Sequence, residues 1–348
     1  MQYTTLGATG LVVSRLALGA MTFSRGNRDI PALYNVEENL ADRLVGQALD
    51  AGVTFFDTAD VYAGGQSEQI LGRALASRRE QVVIATKVGG RAGGGLNDAG
   101  LSRRHILAAV DASLERLRTD WIDVYIVHRY DPITPLEETL AALDQVVRDG
   151  KVRYLGFSNW SAWQVAAAME IMRANTLAPF SHGQMYYSLL CRDIEPEFLP
   201  MLRRYGLGLT VWSPLSGGFL CGKYRRDGSA GGGRLDAFDM LPLNKAAAFD
   251  VLERLEEIAK AWSVSVAQVA IAWLMAKADV SSVLLGAAKP EQLGDNLHAA
   301  DLQLTAEQVV ALDDATASPA PYPAWFLNRY GDAVLTKALG QGRPRRTT

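Results

Sequence analysis

Short apolar runs rich in β-branched and aromatic residues alternate along this chain with longer segments whose apolar residues return every three or four positions. The short runs predict strands at residues 15–19, 54–58, 82–88, 122–128, 152–158, 182–186, 207–213 and 281–286. The longer segments predict helices at 37–51, 102–116, 136–149, 161–174, 196–204, 244–261, 265–277 and 290–298. Several strands are apolar at successive positions, as parallel strands buried on both faces are. Eight such strands alternating with helices most economically close into an α/β architecture, a (β/α)8 TIM barrel. A doubly wound sheet would need a glycine fingerprint after an early strand. Neither G-x-G-x-x-G nor a Walker loop occurs; Gly217 to Tyr224 comes nearest but ends in tyrosine where Ser or Thr is required. Residues 3–13 predict an N-terminal β-hairpin turning at Gly7 to Gly10 and plugging the barrel floor.

Composition agrees with one large core. Hydrophobic residues make up 49% of the 348 and charged residues 21%. A single barrel domain is expected over 1–340, with an Arg-rich disordered tail at 341–348. The net charge of −3 gives no reason to expect a nucleic-acid partner or an anionic membrane surface. Cys191 and Cys221 make no disulfide framework, no signal peptide opens the chain, and the apolar helix at 264–275 is too short to span a bilayer. A cytoplasmic protein is expected. The sequon Asn159-Trp160-Ser161 is then not expected to be glycosylated. Nothing in the sequence specifies an oligomeric state.

Candidate chemistry lies at strand ends. Asp57 closes the second strand, Lys87 the third and His128 the fourth, and Tyr62 follows Asp57 closely enough to fold back over the mouth. Carboxyl ends of different barrel strands converge on one face. A carbonyl that accepts hydride develops negative charge on oxygen and needs a proton. Free tyrosine, with a pKa of about 10, is a poor donor near neutrality. A lysine ammonium beside it would lower that pKa, Asp57 would hold the lysine, and His128 would hydrogen-bond the carbonyl oxygen. Each residue alone reads as a cap, an ion-pair partner or packing. Only the set at successive strand ends favours catalysis. Glycine-rich stretches 89–100 and 228–233 fall on the same face and suit mobile loops over a ligand.

The chain resembles the aldo-keto reductases, including relatives of potassium-channel β subunits. The likeness runs from LGATGLVVSRLALGAM to GAAKPEQLGDNL through FFDTADVY, IATKVG, IDVYIVHRYD, LGFSNW, QMYYSLL and VWSPLSGGFLCGKY. It implies a barrel binding NADPH or NADP+, with the catalytic tetrad Asp57, Tyr62, Lys87 and His128, and reduction of aldehyde or ketone substrates to alcohols or the reverse. By the same likeness, Ser158, Asn159 and Gln184 hold the nicotinamide carboxamide and Trp212 stacks on its ring. Ser213, Pro214, Leu215, Ser216 and Gly217 follow the pyrophosphate, with Lys223 and Arg234 supplying charge. Gly286, Ala287, Lys289, Gln292 and Asn296 enclose the adenosine end, and Gly19, Ala20 and Met21 lie beside the cofactor. Many relatives carry Arg or Lys where Ala288 and Gln292 stand here. Lys289 is the nearest cation left for a 2′-phosphate, so NADP is expected with NADH also possible.

The substrate is expected to be a small-molecule carbonyl or alcohol. By position, Met21, Tyr62, His128, Tyr130 and Trp160 wall its pocket, and the C-terminal segment with Tyr322, Trp325, Phe326 and Tyr330 lies near the mouth. So many aromatics suit a bulky apolar carbonyl. Two other readings are a non-catalytic nucleotide-binding regulatory subunit and a metal-dependent barrel hydrolase or phosphate-binding isomerase. The intact tetrad opposes the first. None of the four histidines (His105, His128, His182, His298) forms a paired metal-ligand motif, which opposes the second.

Overall fold

The computed structural model describes residues 1–26, 33–227 and 241–330, with isolated positions at 332, 334, 337 and 338. Arg234, glycine stretch 228–233 and tail 341–348 lie outside the described residues.

Eight parallel strands close on themselves: β3 (Leu16–Gly19), β4 (Phe55–Asp57), β5 (Val83–Val88), β6 (Ile122–Val127), β7 (Val152–Ser158), β8 (Phe180–Tyr186), β9 (Gly208–Trp212) and β10 (Val280–Leu285), the last pairing with β3. This is the (β/α)8 barrel, and each strand lies within two residues of its predicted start. The largest shift is at β8, which begins at Phe180; an irregularity in its pairing with β7 falls between Leu155 and Gly156. A register break in a polar-looking stretch is invisible to alternation patterns.

The hairpin β1 (Tyr3–Thr5) and β2 (Val12–Ser14) closes the barrel floor. Leu6 and Val13 are fully buried and join the inner core of Ala17, Phe55, Ala85, Val124, Ile126 and Leu284. Each contributes about 1.5–3 kcal/mol of apolar burial. Gly7 sits at φ +62°, and a Cβ there would lie 2.3 Å from the Ser181 carbonyl oxygen, so only glycine lets the turn press against the base of β8 and β9.

Helices shield the outside: α1 (Glu38–Asp50), α2 (Gln66–Leu75), α3 (Arg103–Leu117), α4 (Leu136–Arg148), α5 (Ala162–Ala174), α6 (Phe198–Tyr205), α7 (Lys245–Trp262), α8 (Val266–Met275), α9 (Pro290–Leu297), α10 (Ala306–Ala315) and α11 (Ala324–Arg329). Ser102 caps α3 by accepting from the His105 amide at 3.3 Å, and Ser161 forms a capping box with Gln164 on α5. Helices α2, α10 and α11 have no counterpart among the helices expected from the sequence. In α2, Gly72 interrupts the helical signature, yet a Cβ there would lie 2.2 Å from the Leu117 carbonyl oxygen of α3. Close helix packing, not propensity, set that residue. Among the described residues no single helix is long and apolar enough to cross a membrane. The bent pair α7 and α8 passes such a test by length and composition, but α8 is buried along most of its length.

Candidate active site

Strand ends deliver the polar groups to one mouth. Asp57 is the last residue of β4, and Lys87 the penultimate residue of β5. Both are buried, with Lys87 wholly inaccessible. Lys87 Nζ donates to Asp57 Oδ1 at 2.5 Å, to the Thr58 carbonyl oxygen at 2.8 Å and toward Tyr62 Oη at 3.4 Å. All three ammonium protons therefore have acceptors, which satisfies the rule that a buried charge be paired and hydrogen-bonded. Tyr62 opens a 3₁₀ turn, Tyr62–Gly65, that brings its ring back over the mouth. Its ring stands edge-on to His128, with centroids 5.7 Å apart. The four groups predicted to meet do meet.

Their protonation states differ in part from the expectation. Burial works against the Lys87 ammonium, but the Asp57 carboxylate and Tyr62 outweigh it and raise its pKa. Tyr62 lies above the ordinary phenol value: burial raises it, and the Lys87 charge offsets only part of that. The predicted lowering toward neutrality is therefore corrected: burial of the phenol outweighs the ammonium beside it, and Asp57 adds to the rise. His128 is pulled down to about 3, by burial first and then by the Lys87 charge, so its imidazole is neutral. A neutral ring keeps one N–H to donate.

A second ring of polar groups fixes the first. Gln184 Nε2 donates to Asp57 Oδ2 at 2.8 Å, so both carboxylate oxygens are engaged. Ser158 Oγ donates to the Gln184 carbonyl oxygen at 2.7 Å. Asn159, at φ +57°, donates to the His128 carbonyl oxygen at 3.1 Å and to Ser158 Oγ at 2.9 Å, and accepts from Trp212 Nε1 at 3.2 Å. Ser158, Asn159, Gln184 and Trp212 thus form one connected set beside the tetrad. The role of Gln184 in holding Asp57, and that of the Thr58 carbonyl in holding Lys87, escaped the sequence reading. The only signal for Gln184 was a polar residue inside a strand, and a backbone carbonyl such as that of Thr58 leaves none.

The remaining candidates divide by place. Ser213 and Ser216 both adopt positive φ in the turn after β9, with Pro214, Leu215 and Gly217 in the same turn and the exposed Lys223 just beyond. Lys289 is the N-cap of α9, and Gln292 and Asn296 follow it at helical spacing on one face. Gly286 and Ala287 form the link from β10 to that helix. Gly19 ends β3; Ala20 is fully buried, donates to the Asp57 carbonyl oxygen at 2.8 Å and accepts from Ser67 Oγ at 2.6 Å. Met21 is half-buried beside it. Tyr130 is also half-buried. Trp160, expected in the pocket wall, is only 2% exposed and packs on Phe157, Phe180 and Tyr130. Tyr322, Trp325, Phe326 and Tyr330 are exposed and contact one another. The donor set fits a nicotinamide dinucleotide: amides and hydroxyls near Trp212, hydroxyls in the turn after β9, and a cation at the start of α9. Among the described residues no cluster of three or more His, Cys, Asp or Glu side chains could hold a metal ion.

Behind the mouth lies a buried group that the sequence reading did not identify. Glu68 accepts from Thr86 Oγ1 and pairs with Arg116 Nε, each at 2.5 Å, tying α2 and α3 to β5. Asp60 is 3% exposed, and its pKa is pushed up to about 7 by burial first and then by Glu68.

The model describing the Aldo/keto reductase family matches residues 15–317. A rice protein named "Probable voltage-gated potassium channel subunit beta" is 41% identical, over 92% of this chain and 98% of its own length. A Bacillus subtilis protein named "Uncharacterized oxidoreductase YrpG" is 37% identical, over 92% of this chain and 97% of its own. "Versiconal hemiacetal acetate reductase" from Aspergillus parasiticus is 34% identical, over 93% of this chain and 99% of its own.

Proposed function

Because the chain belongs to the aldo/keto reductase family, we propose that it is an NADP(H)-dependent oxidoreductase that reduces aldehyde or ketone carbonyls to alcohols, and runs the reverse reaction, with Tyr62 as general acid. A nicotinamide held there would supply a hydride to the carbonyl carbon. As that bond forms, the carbonyl π pair moves onto oxygen, and Tyr62 Oη gives its proton to that oxygen. The Lys87 ammonium, 3.4 Å from Tyr62 Oη, stabilises the phenolate left behind. Asp57 keeps Lys87 charged and in place. The neutral His128 ring, edge-on to Tyr62, would donate to the same carbonyl oxygen and share the developing charge. Solvent then returns a proton to Tyr62. Ser158, Asn159 and Gln184 would hold the carboxamide, Trp212 would carry the ring, and Lys289 would supply charge for a 2′-phosphate. The single observation that carries this reading is the Lys87 ammonium bridging Asp57 and Tyr62 inside the barrel mouth.

The test is cofactor oxidation against aldehydes, ketones, quinones and keto-sugars, run with NADPH and with NADH. Turnover that falls roughly 100-fold or more in Tyr62→Phe, with cofactor affinity nearly intact, supports the assignment. Near-normal turnover in that variant removes Tyr62 from it. The name of the rice relative favours a second reading, a regulatory subunit that binds the nucleotide without turning substrate over. Tight cofactor binding with no turnover across the whole panel selects it.

A further inference from the structure

The Trp212 indole is fixed on two sides, and one of its partners has no role in the scheme above. Its N–H is held by Asn159 Oδ1, and its ring is stacked on Tyr186, with centroids 5.0 Å apart and planes at 28°. The two aromatics are register partners on neighbouring strands, Tyr186 at the end of β8 and Trp212 at the end of β9. Tyr186 has neighbours of its own. Its hydroxyl lies beside Ser216 and Ser188, whose side chains join each other at 2.8 Å, both buried. Ser216 belongs to the turn after β9 and adopts φ +50°, so its place is set by tertiary contacts and not by local preference.

We propose that Tyr186 is a positioning residue for the nicotinamide: it backs one face of Trp212 and sits beside the turn that seats the pyrophosphate. The inference rests on the cofactor reading above. A lone indole at a strand end could tilt about its Cβ. With the N–H tied to Asn159 and one face against the Tyr186 phenol, it offers its remaining face in one orientation. Stacking on a fixed plane decides how the nicotinamide lies over the mouth, and so which ring face meets the substrate.

The experiment measures NADPH binding by quenching of tryptophan fluorescence in the wild type, Tyr186→Ala and Tyr186→Phe. Adenosine 2′,5′-bisphosphate, titrated by calorimetry, reports the adenosine end alone. Tyr186→Ala should weaken NADPH roughly three- to tenfold, the scale of one aromatic stacking pair, and leave the bisphosphate unchanged. Tyr186→Phe should recover most of that loss, because the ring remains. Transfer from cofactor deuterated on one face of C4 should become less face-selective in the alanine variant. Equal NADPH affinity in wild type and Tyr186→Ala overturns the proposal. Tighter binding in Tyr186→Ala also overturns it, since Tyr186 would then be occupying the face the nicotinamide needs. A wild type that binds neither nicotinamide cofactor overturns the parent reading instead.

Discussion

Gln184 reaches across the barrel mouth to Asp57: its Nε2 donates to Oδ2 at 2.8 Å, while Lys87 takes the other carboxylate oxygen. The link joins β8 to β4, which are not neighbours in the sheet. It leaves the Asp57 carboxylate no freedom to turn away from the lysine. In Gln184→Leu a buried carboxylate oxygen loses its donor. Hydrogen bonds to charged groups contribute about 1.5–3 kcal/mol, so the melting temperature should fall by several degrees. Turnover should fall as well, because Lys87 loses a fixed partner. A thermal melt and steady-state kinetics read both effects, and an unchanged melting temperature would show that Gln184 does not restrain Asp57.

The pH dependence of reduction follows from which groups can titrate. Tyr62 and Lys87 both lie above their ordinary values, so each stays protonated through neutrality. His128 is neutral down to about 3. Reduction needs Tyr62 protonated, so turnover at saturating substrate and cofactor should show no limb from Tyr62, Lys87 or His128 between about pH 5 and 9, and should fall as the phenol ionises above about 10. A limb near pH 6.5 that persists in Asp60→Asn would mean that His128 charges, against the assignment of a neutral donor.

How much of this was legible in the sequence depends on what each residue answers to. The eight barrel strands were readable because buried parallel strands are β-branched and apolar on both faces, and that pattern survives without knowledge of partners. The tetrad was readable because strand ends in a barrel converge. The state of Tyr62 was not, since it depends first on how deeply the phenol is buried and then on its distance from Lys87, a matter of ångströms. Trp160 is expected in the pocket wall, but its indole packs among Phe157, Phe180 and Tyr130, contacts that chain order does not reveal. The Tyr186 and Trp212 pair was hidden for another reason: register between strands is not written in either strand alone.

Helix α2 gives a prediction in which two effects oppose. On an exposed helix Gly72→Ala would stabilise by about 1 kcal/mol through backbone entropy. Here the added Cβ would lie 2.2 Å from the Leu117 carbonyl oxygen and 2.6 Å from its Cα, both backbone atoms at the end of α3. Backbone cannot step aside as a flexible side chain can, so overpacking should win at about 1–3 kcal/mol. Gly72→Ala should therefore melt lower than wild type. A higher melting temperature would show that α2 and α3 separate easily.

Asp60 makes stability depend on pH in a direction opposite to most carboxylates. It is held between Glu68 on α2, Arg116 on α3, Lys87 on β5 and Tyr125 on β6, and its amide donates to the Lys87 carbonyl oxygen at 3.2 Å. Its pKa rises from 3.8 to about 7 on folding, so between those values the folded chain binds a proton that the unfolded chain has lost. Stability from this group is complete below 3.8 and declines as pH rises toward about 7, where the folded form ionises too. A shift of that size corresponds to a decline on the order of 4 kcal/mol. Asp60→Asn keeps the volume and removes the ionisation. The variant should be more stable than wild type at about pH 8, and the two should converge below about pH 4. Urea denaturation at both pH values measures the difference. A variant less stable than wild type at the higher pH would show that the Asp60 carboxylate is compensated by Arg116 and Lys87 and is not strained by burial.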